Sequence, residues 1–252
     1  MLLRVRDLES GYGRIQVLFG VSFEVAEGEV VSMLGTNGAG KTTTLRAVSN
    51  VIPTWRGSIE FDRRPFGSMP PEERARLGLG HVPEGRGVLA TLSVEENLGL
   101  AAGLRRDGMQ GYRRDRARLL DLFAPLQGKL RMPAGLLSGG QQQMLALARA
   151  LVAQPRLLMV DEMSFGLAPV IVNQLFQLVQ DMRAEAGTTF LLVEQNAGVL
   201  AVSDRSYVIT GGRTVLESKS DELVGSDRLV RSYLGHAGDR ASSPNQTTGG
   251  TT

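Results

Sequence analysis

The sequence predicts an α/β fold built around a largely parallel sheet. Residues 30–34, 157–160 and 188–193 are mostly apolar runs, as expected of strands buried on both faces of such a sheet. Between these runs, apolar residues recur at helical spacing. A glycine-rich motif also lies directly between the first run and a helix-like stretch. These three features are typical of a sheet whose strands are connected by helices.

The glycine-rich motif is the strongest functional signal. Residues 35–42 read Gly-Thr-Asn-Gly-Ala-Gly-Lys-Thr and match the phosphate-binding pattern G-x-x-x-x-G-K-[ST]. Its glycines allow several backbone N–H groups to face one anion at a helix N-terminus. Lys41 is expected to reach the outer phosphates, and the Thr42 hydroxyl to bind Mg²⁺. Because every fixed position is filled and the flanks are correct, we predict nucleoside triphosphate binding rather than an ordinary turn.

Composition limits the chemistry. The 252 residues are enough for one or two domains. The absence of cysteine excludes disulfides and thiolate metal ligands. The only histidines, His81 and His236, are far apart in sequence, so no zinc or iron centre is expected. His81 lies in a strand-like run and is interpreted as structural.

Charge and hydropathy favour a soluble cytosolic chain. The isoelectric point is about 9.2, but the formal net charge is only +2. The densest basic cluster, at residues 113–118, is interpreted as a solvated helix face, so nucleic acid is not expected as a partner. Residues 1–7 lack a signal core, and no apolar run approaches the about 20 residues of a membrane span.

The N-terminal elements are expected to be short strands and turns. Residues 2–25 predict short strands around a loop, and residues 58–64 a small antiparallel hairpin. Prolines at 70 and 71 predict the start of a short helix. Residues 79–83 predict a brief buried strand that ends at Glu84.

The middle of the chain, residues 85–154, is predicted to be helical. Two helix starts, at residues 93–96 and 138–141, carry the S-x-x-E/Q pattern of a capping box. The apolar stripe at residues 119–126 is assigned to the core.

The C-terminal part is expected to add a helix and a hairpin. Residues 170–184 predict an amphipathic helix, and Gly211-Gly212 a two-residue hairpin turn. Two short helices are expected to end near His236, before a small, polar and disordered tail.

A pair of carboxylates follows the apolar run at 157–160. Ligands in parallel sheets bind outside the carboxyl ends of strands, so Asp161 is expected to face Mg²⁺ near the phosphate loop. Glu162 could then orient an attacking water. An apolar run that ends in Asp-Glu is a weak signal alone, but a strong one beside a phosphate loop.

Residues 137–141, Leu-Ser-Gly-Gly-Gln, begin a helix with free backbone donors and a hydroxyl. Alone they would be an ordinary cap. In the order aromatic loop, phosphate loop, Leu-Ser-Gly-Gly-Gln and Asp-Glu strand, however, the chain resembles the ATP-binding cassette family over nearly all of residues 2–236. The resemblance implies a P-loop NTPase core with a RecA-like parallel sheet, an N-terminal antiparallel β subdomain and a helical insert carrying the signature motif.

The same resemblance implies the domain boundaries. One cassette would span residues 1–236 and be followed by a disordered tail at 237–252. Within it, residues 1–84 and 155–236 would form the core and β subdomain, and residues 85–154 the helical subdomain.

The resemblance also implies a set of site residues. Tyr12 would stack on adenine, and the complete nucleotide-binding set would be Tyr12, Gly35, Thr36, Asn37, Gly38, Ala39, Gly40, Lys41, Thr42 and Thr43. The signature residues that reach the ATP of an opposite subunit would be Ser138, Gly139, Gly140 and Gln141. The catalytic set would be Glu162, Lys41 and Gln195, and the Mg²⁺ set Thr42, Asp161 and Glu84.

Four positions depart from the common cassette pattern. Thr36 and Met163 replace prolines without removing a ligand. Glu84 replaces the glutamine that links γ-phosphate, Mg²⁺ and permease, and Gln195 replaces the switch histidine. A neutral glutamine can hydrogen-bond the γ-phosphate but cannot carry a proton as imidazolium does.

These departures fit one branch of the family. The chain resembles the smaller ATP-binding subunit of high-affinity branched-chain amino acid importers through its stretches at 82–86, 92–98, 166–169 and 193–196. That resemblance implies ATP and Mg²⁺ as ligands and a second cassette subunit, homomeric or heteromeric, with the heteromer favoured. It further implies separate membrane permeases, an indirect solute-binding protein and a peripheral position on the cytoplasmic face of the membrane.

Three other functions stay open at this point. A urea or short-amide importer would share the same stretches, because nothing in this chain meets the solute. A soluble protein of this family that acts on ribosomes or DNA usually has two cassettes in one chain or a long coiled-coil insertion, and this sequence shows neither pattern. A regulator without turnover would not need the intact Lys41, Asp161 and Glu162.

Overall fold

The computed structural model describes residues 1–225. The expected helix end near His236 and the expected tail therefore lie outside the described residues. The ten strands described are β1 Leu3–Tyr12, β2 Ile15–Val25, β3 Val30–Leu34, β4 Thr54–Phe61, β5 Arg64–Pro65, β6 Leu79–Val82, β7 Leu157–Asp161, β8 Thr189–Glu194, β9 Arg205–Thr210 and β10 Arg213–Lys219. The eight α-helices described are α1 Lys41–Val48, α2 Pro71–Arg76, α3 Val94–Ala101, α4 Gly108–Leu122, α5 Ala124–Gln127, α6 Gly139–Val152, α7 Pro169–Ala186 and α8 Ser220–Leu223.

A six-stranded sheet forms the centre, in the order β10-β9-β3-β8-β7-β6. Its first five strands in sequence, β3, β6, β7, β8 and β9, pair in parallel, and β10 joins β9 through an antiparallel hairpin. Every residue of β3, β7 and β8 is buried. The continuous apolar runs thus correspond to central parallel strands, and the predicted α/β class is confirmed.

Successive side chains of the central strands alternate between two hydrophobic cores, because a strand directs neighbouring residues to opposite faces. Leu158 and Val160 of β7 face a core shared with α3, α6 and α7. Leu157 and Met159 face a second core shared with α1 and the N-terminal strands. Burial on both faces fixes the position of the β7 carboxyl end, where Asp161 lies.

A second, four-stranded antiparallel sheet has the order β2-β1-β4-β5. The sequence predicted short strands around a loop here, but β1 and β2 are long and pair as far as Tyr12 and Ile15. Register shifts along β1, including one between Val5 and Leu8 around the positive-φ residue Asp7, interrupt the strict alternation. That irregularity hides the full strand length from the sequence pattern.

The segment between β6 and β7 holds helices α3 to α6. Both predicted capping boxes are present at the starts of α3 and α6. In each, the N-cap serine hydroxyl accepts from the backbone N–H of the third helical residue, and the side-chain oxygen of that residue accepts from the serine backbone N–H. Leu120, Phe123 and Leu126 are buried, so the predicted apolar stripe belongs to the core.

Candidate functional site

The phosphate loop connects β3 to α1, as the motif predicts. Gly38 and Gly40 have φ values of 78° and 107°, in the left-handed region that favours glycine. A Cβ on Gly40 would lie 2.8 Å from Leu18 Cδ2, and one on Gly35 would lie 2.5 Å from the Ile209 carbonyl oxygen. The loop therefore keeps its shape only with glycine at these positions.

Lys41 is buried at the start of α1. Its Nζ donates to the carbonyl oxygens of Gly35 at 2.9 Å and Thr36 at 3.1 Å. The same Nζ lies 3.2 Å from Glu162 Oε1. The ammonium group of Lys41 is thus held between the phosphate loop and the carboxyl end of β7.

These groups share one cleft of about 190 Å³. The cleft is lined by Val17, Asn37, Gly38, Gly40, Lys41, Thr42, Thr43, Glu84 and Glu162. The structure therefore brings together most of the sequence-predicted phosphate and metal residues. None of the described lining residues comes from the signature at 138–141.

Asp161 is a buried carboxylate beside this cleft. Neither of its oxygens has a hydrogen-bond partner among the described residues. Burial raises the pKa of Asp161 to about 6; the nearby Thr42 hydroxyl opposes this rise, and the charge of Glu162 adds to it. Such an under-coordinated carboxylate fits a hard divalent cation, which prefers oxygen ligands.

The residues present fit Mg²⁺ only if substrate phosphates and water supply the remaining ligands. Within residues 1–225, no group of three His, Cys, Asp or Glu side chains could hold a metal ion alone. Mg²⁺ commonly takes one or two carboxylates together with substrate phosphates and water. Asp161 and Thr42 match that pattern, and Glu84 lines the same cleft.

Glu162 is fixed by the neighbouring strand β8. Its backbone N–H donates to the Val193 carbonyl at 2.8 Å, and its φ of 45° lies in the left-handed region. The Gln195 side-chain amide donates to Glu162 Oε1 at 3.0 Å. The predicted contact of Gln195 with the γ-phosphate stays a prediction; in the structure its side chain contacts Glu162, the residue predicted to orient water.

Tyr12 lies at the end of β1, beside the phosphate loop. Its hydroxyl is 3.4 Å from Thr43 Oγ1 and accepts a hydrogen bond from Arg46 at 3.1 Å. The Arg46 guanidinium also lies 5.9 Å from the ring centroid. With 39 % of its surface exposed, Tyr12 offers an aromatic surface next to the phosphate loop. Arg46 was missed because its partner lies 34 residues away.

Ser138 is the N-cap of α6 and is exposed. Its Oγ accepts from the Gln141 backbone N–H at 3.4 Å, and its own N–H donates to Gln141 Oε1 at 3.2 Å. Gly139 is partly exposed and Gly140 buried. The signature is thus a self-capped helix start apart from this chain's own phosphate cleft.

The sequence analysis gave no role to several buried charged residues, among them Glu194 and Arg74. Glu194, at the end of β8, is 1 % exposed and accepts from Ser164. Arg74 is also 1 % exposed and donates to backbone carbonyls, among them Val48 at the end of α1. Arg74 lies in no recognised motif. Glu194 lies in the 193–196 stretch, but only its position at the end of a buried run could have drawn attention to it.

The fold and the cleft define a class of protein. A parallel sheet that carries a phosphate loop after one strand and an Asp-Glu pair after another is typical of P-loop nucleoside triphosphatases. Relatives and solved structures refine this class.

The family model of the ABC transporter matches residues 18–164. The chain is 41% identical over 235 residues to the "High-affinity branched-chain amino acid transport ATP-binding protein BraG" of Pseudomonas aeruginosa, covering 93% of this chain and 100% of that protein. It is 33% identical to the "Probable branched-chain amino acid transport ATP-binding protein LivF" of Archaeoglobus fulgidus, covering 93% and 99%. A solved ATP-binding cassette of an ABC transporter, in its ADP conformation, superposes with a TM-score of 0.79 at 25% identity, covering 93% and 98%.

The chain belongs to the ABC transporter family of ATP-binding proteins. It is a nucleotide-binding ATPase subunit of an ABC transporter. A solved dimeric ATP-binding cassette bound to ADP and Pi superposes with a TM-score of 0.77 at 24% identity, covering 86% of this chain and 98% of that one. No helix among residues 1–225 is long and apolar enough to cross a bilayer.

Proposed function

We propose that this chain supplies the energy for uptake of branched-chain amino acids through separate permease subunits. The observation that carries the proposal is the 41% identity to BraG along the whole of that protein. The second relative bears a name of the same transport class. The cassette would span residues 1–236, with 85–154 as its helical subdomain and the remainder of that span as core and β subdomain.

The proposed ATP site uses the cleft at the carboxyl ends of β3 and β7. Backbone N–H groups of residues 35–43 would bind the phosphates, with Lys41 as the mobile cation. Tyr12 would stack on adenine. Thr42 and Asp161 would hold Mg²⁺, with Glu84 close to the same ion. When bound, Mg²⁺ would neutralise charge on the transferring phosphoryl group.

Hydrolysis needs a water held in line with the γ-phosphorus, since phosphoryl transfer depends mainly on positioning and charge stabilisation. Glu162 would accept a hydrogen bond from that water. Gln195 would fix the carboxylate through its 3.0 Å contact with Glu162 Oε1. Lys41 Nζ lies 3.2 Å from the same oxygen. When ATP binds, this ammonium group would exchange its hydrogen bonds to the Gly35 and Thr36 carbonyl oxygens for contacts with the phosphates.

The second half of the pocket would come from another cassette. Ser138, Gly139, Gly140 and Gln141 would contact the partner's ATP with a hydroxyl and helix N-terminal N–H groups. Large apolar side chains near this surface support such an interface, since Leu136, Phe165 and Val170 are 73%, 64% and 61% exposed. We favour a related but different subunit as the partner.

The permeases would dock on a groove between β6 and the helical segment. The groove has a volume of about 420 Å³ and includes Val51, His81, Leu100 and Leu104 among its lining residues. Leu100 is 55% and Val51 61% exposed, which supports contact with an apolar partner segment. Docking here would hold the chain on the cytoplasmic face of the membrane, and a solute-binding protein would act through the permeases.

Reconstitution tests the proposal directly. The chain would be assembled in proteoliposomes with its partner cassette, permeases and solute-binding protein, and uptake of labelled leucine and urea would be compared. ATP-dependent leucine uptake is expected. Uptake of urea without leucine would overturn the amino acid assignment. Hydrolysis stimulated by nucleic acid instead of the permeases would overturn the transport role.

A further inference from the structure

The loop that follows Glu162 is tied to the end of β8 by a buried carboxylate. Glu194 Oε1 accepts from the Ser164 backbone N–H at 3.0 Å, and Oε2 accepts from the Ser164 hydroxyl at 2.6 Å. The residues lie 30 positions apart in sequence. One side chain thus receives both polar donors of Ser164.

The environment of Glu194 is unfavourable for a charge. The residue is 1% exposed, and burial raises its pKa above the ordinary range. Hydrogen bonds from Ser164 and from the Gln195 backbone N–H oppose this rise. A buried charged group is costly unless it is hydrogen-bonded, so the contact with Ser164 is a main source of its stabilisation.

The same end of β8 also fixes Glu162. The Val193 carbonyl accepts the Glu162 N–H at 2.8 Å, and the Gln195 amide donates to its carboxylate at 3.0 Å. Glu162 has a φ of 45°, which non-glycine residues rarely adopt and which persists only where the surroundings hold it. Consecutive residues 193, 194 and 195 therefore hold both Glu162 and Ser164.

The loop held in this way reaches the surface. Phe165, directly after Ser164, is 64% exposed, and Gly166 has a φ of 69°. A Cβ on Gly139 of the signature would lie 3.4 Å from Leu167 Cδ2. Movement of Ser164 would therefore alter Glu162 on one side and the surface beside the signature on the other.

We propose that Glu194 is a positioning residue for ATP hydrolysis, which anchors Ser164 and thereby aligns Glu162 with the loop that meets the partner cassette. This inference rests on the proposed role of Glu162 in hydrolysis. It assigns to Glu194 no contact with ATP, so its loss should lower kcat while ATP binding persists.

Two substitutions separate this role from a general contribution to folding. Glu194→Gln keeps the size of the side chain but removes one acceptor oxygen and the charge. Ser164→Ala removes the hydroxyl donor and keeps the backbone N–H. Ser203→Ala is the matched control, because its hydroxyl donates to the Val199 carbonyl at 2.8 Å, a single half-buried hydrogen bond in the segment that follows the same strand.

ATPase kinetics would be measured in the assembled transporter, and nucleotide affinity on the full chain. Because a displacement of about 1 Å can cost about 100-fold in rate, we expect Glu194→Gln to lower kcat about tenfold or more. Ser164→Ala should lower it about threefold. The affinity for ATP should stay within about twofold of the wild type, since residues in contact with the nucleotide are unchanged.

Two further readouts make the test specific. Hydrogen exchange at the Ser164 amide should accelerate in Glu194→Gln, because that N–H loses its charged acceptor. The double variant should be no slower than Glu194→Gln alone, since residues in one contact show non-additive effects. Ser164→Thr, which retains a hydroxyl, should recover most of the rate lost in Ser164→Ala, and this arm stands even where Glu194→Gln folds poorly.

Wild-type kcat in Glu194→Gln, multiplying losses in the double variant, or an equal loss in Ser203→Ala would overturn the inference. A Glu162→Gln variant assayed in parallel distinguishes the two levels. Full turnover in Glu162→Gln would overturn the proposed catalytic role and this inference with it. An inactive Glu162→Gln beside fully active Glu194→Gln and Ser164→Ala would overturn only the role of Glu194.

Discussion

The phosphate cleft and the signature helix start are built in opposite ways. At the cleft, Glu162 contacts both Lys41 and Gln195, which come from different parts of the chain, and all three side chains are partly or fully buried. At the signature, Ser138 is exposed and satisfied by its own capping partner three residues later. The first region is organised by the tertiary fold of one chain. The second is a local structure that leaves its surface available to another chain.

Glu162→Gln tests the phosphate cleft and should have the largest effect on turnover. The substitution keeps the shape but removes the carboxylate that would orient water, so kcat should fall by about 10²–10³, the cost typical of losing one preorganised group. ATP should still bind, and a nucleotide-bound dimer should accumulate in size-exclusion chromatography.

The control for this variant is Gln177→Glu, a change at an exposed position of α7 whose side-chain amide donates to Asp181 at 3.0 Å. It should turn over normally. Phosphate release by Glu162→Gln at the wild-type rate would show that hydrolysis in the phosphate cleft does not depend on this carboxylate.

Asp161→Asn tests whether a carboxylate needed for hydrolysis in the phosphate cleft lowers the stability of the fold. The pKa of Asp161 is raised to about 6, so the native state binds its proton more tightly than the unfolded chain does. Its charge therefore destabilises the fold above about pH 6, and stability is recovered as the pH falls from about 6 towards about 4. At pH 8 without nucleotide, Asp161→Asn should raise the free energy of unfolding by about 1–3 kcal/mol.

Urea titrations of both proteins at pH 8 and pH 5 measure this effect. The gain should shrink at pH 5, where the wild-type carboxyl is largely protonated, and Mg²⁺-dependent hydrolysis should be lost at both pH values. Equal stability of the two proteins at pH 8 would contradict an uncompensated buried carboxylate.

Ser138→Ala tests the exposed helix start of the signature. It removes the side-chain acceptor of the α6 N-cap, which typically costs about 0.5–2 kcal/mol of stability, and the hydroxyl proposed to meet the partner's ATP. We expect turnover of the dimer to fall about tenfold, with the ATP affinity of the isolated chain unchanged.

Ser93→Ala removes the equivalent cap of α3 away from any proposed nucleotide contact. It should lower the melting temperature similarly without the same loss of turnover. Matching losses of turnover in both variants would assign the effect of Ser138 to helix stability alone.

Tyr12→Ala should have the smallest effect, because base stacking on an aromatic ring contributes about 1–3 kcal/mol and Tyr12 is half-exposed. The KM for ATP should rise about tenfold, with kcat preserved at saturation. Tyr12→Phe, which loses only the hydroxyl contacts with Thr43 and Arg46, should change KM less. An unchanged KM in Tyr12→Ala would remove this ring from adenine binding.

Short-range chemistry explains which features the sequence revealed. The phosphate loop, the Asp-Glu pair and both capping boxes are set by residues within eight positions of one another, so a pattern predicts them before any packing is known. The buried central strands followed from continuous apolar runs for the same reason. The roles assigned to Glu84, Gln195 and the signature toward ATP stay predictions.

Contacts between distant segments were decided by the tertiary structure. Gln195 meets Glu162 across 33 positions, Ser164 meets Glu194 across 30, and His81 meets Ser49 across 32. Burial lowers the pKa of His81 to about 4, so its structural role depends on an environment that the strand pattern does not contain. The sequence alone determined which local units form and what each can bind. Only the order of strands in the sheet decided which of them meet, because that order sets the neighbours of each carboxyl end.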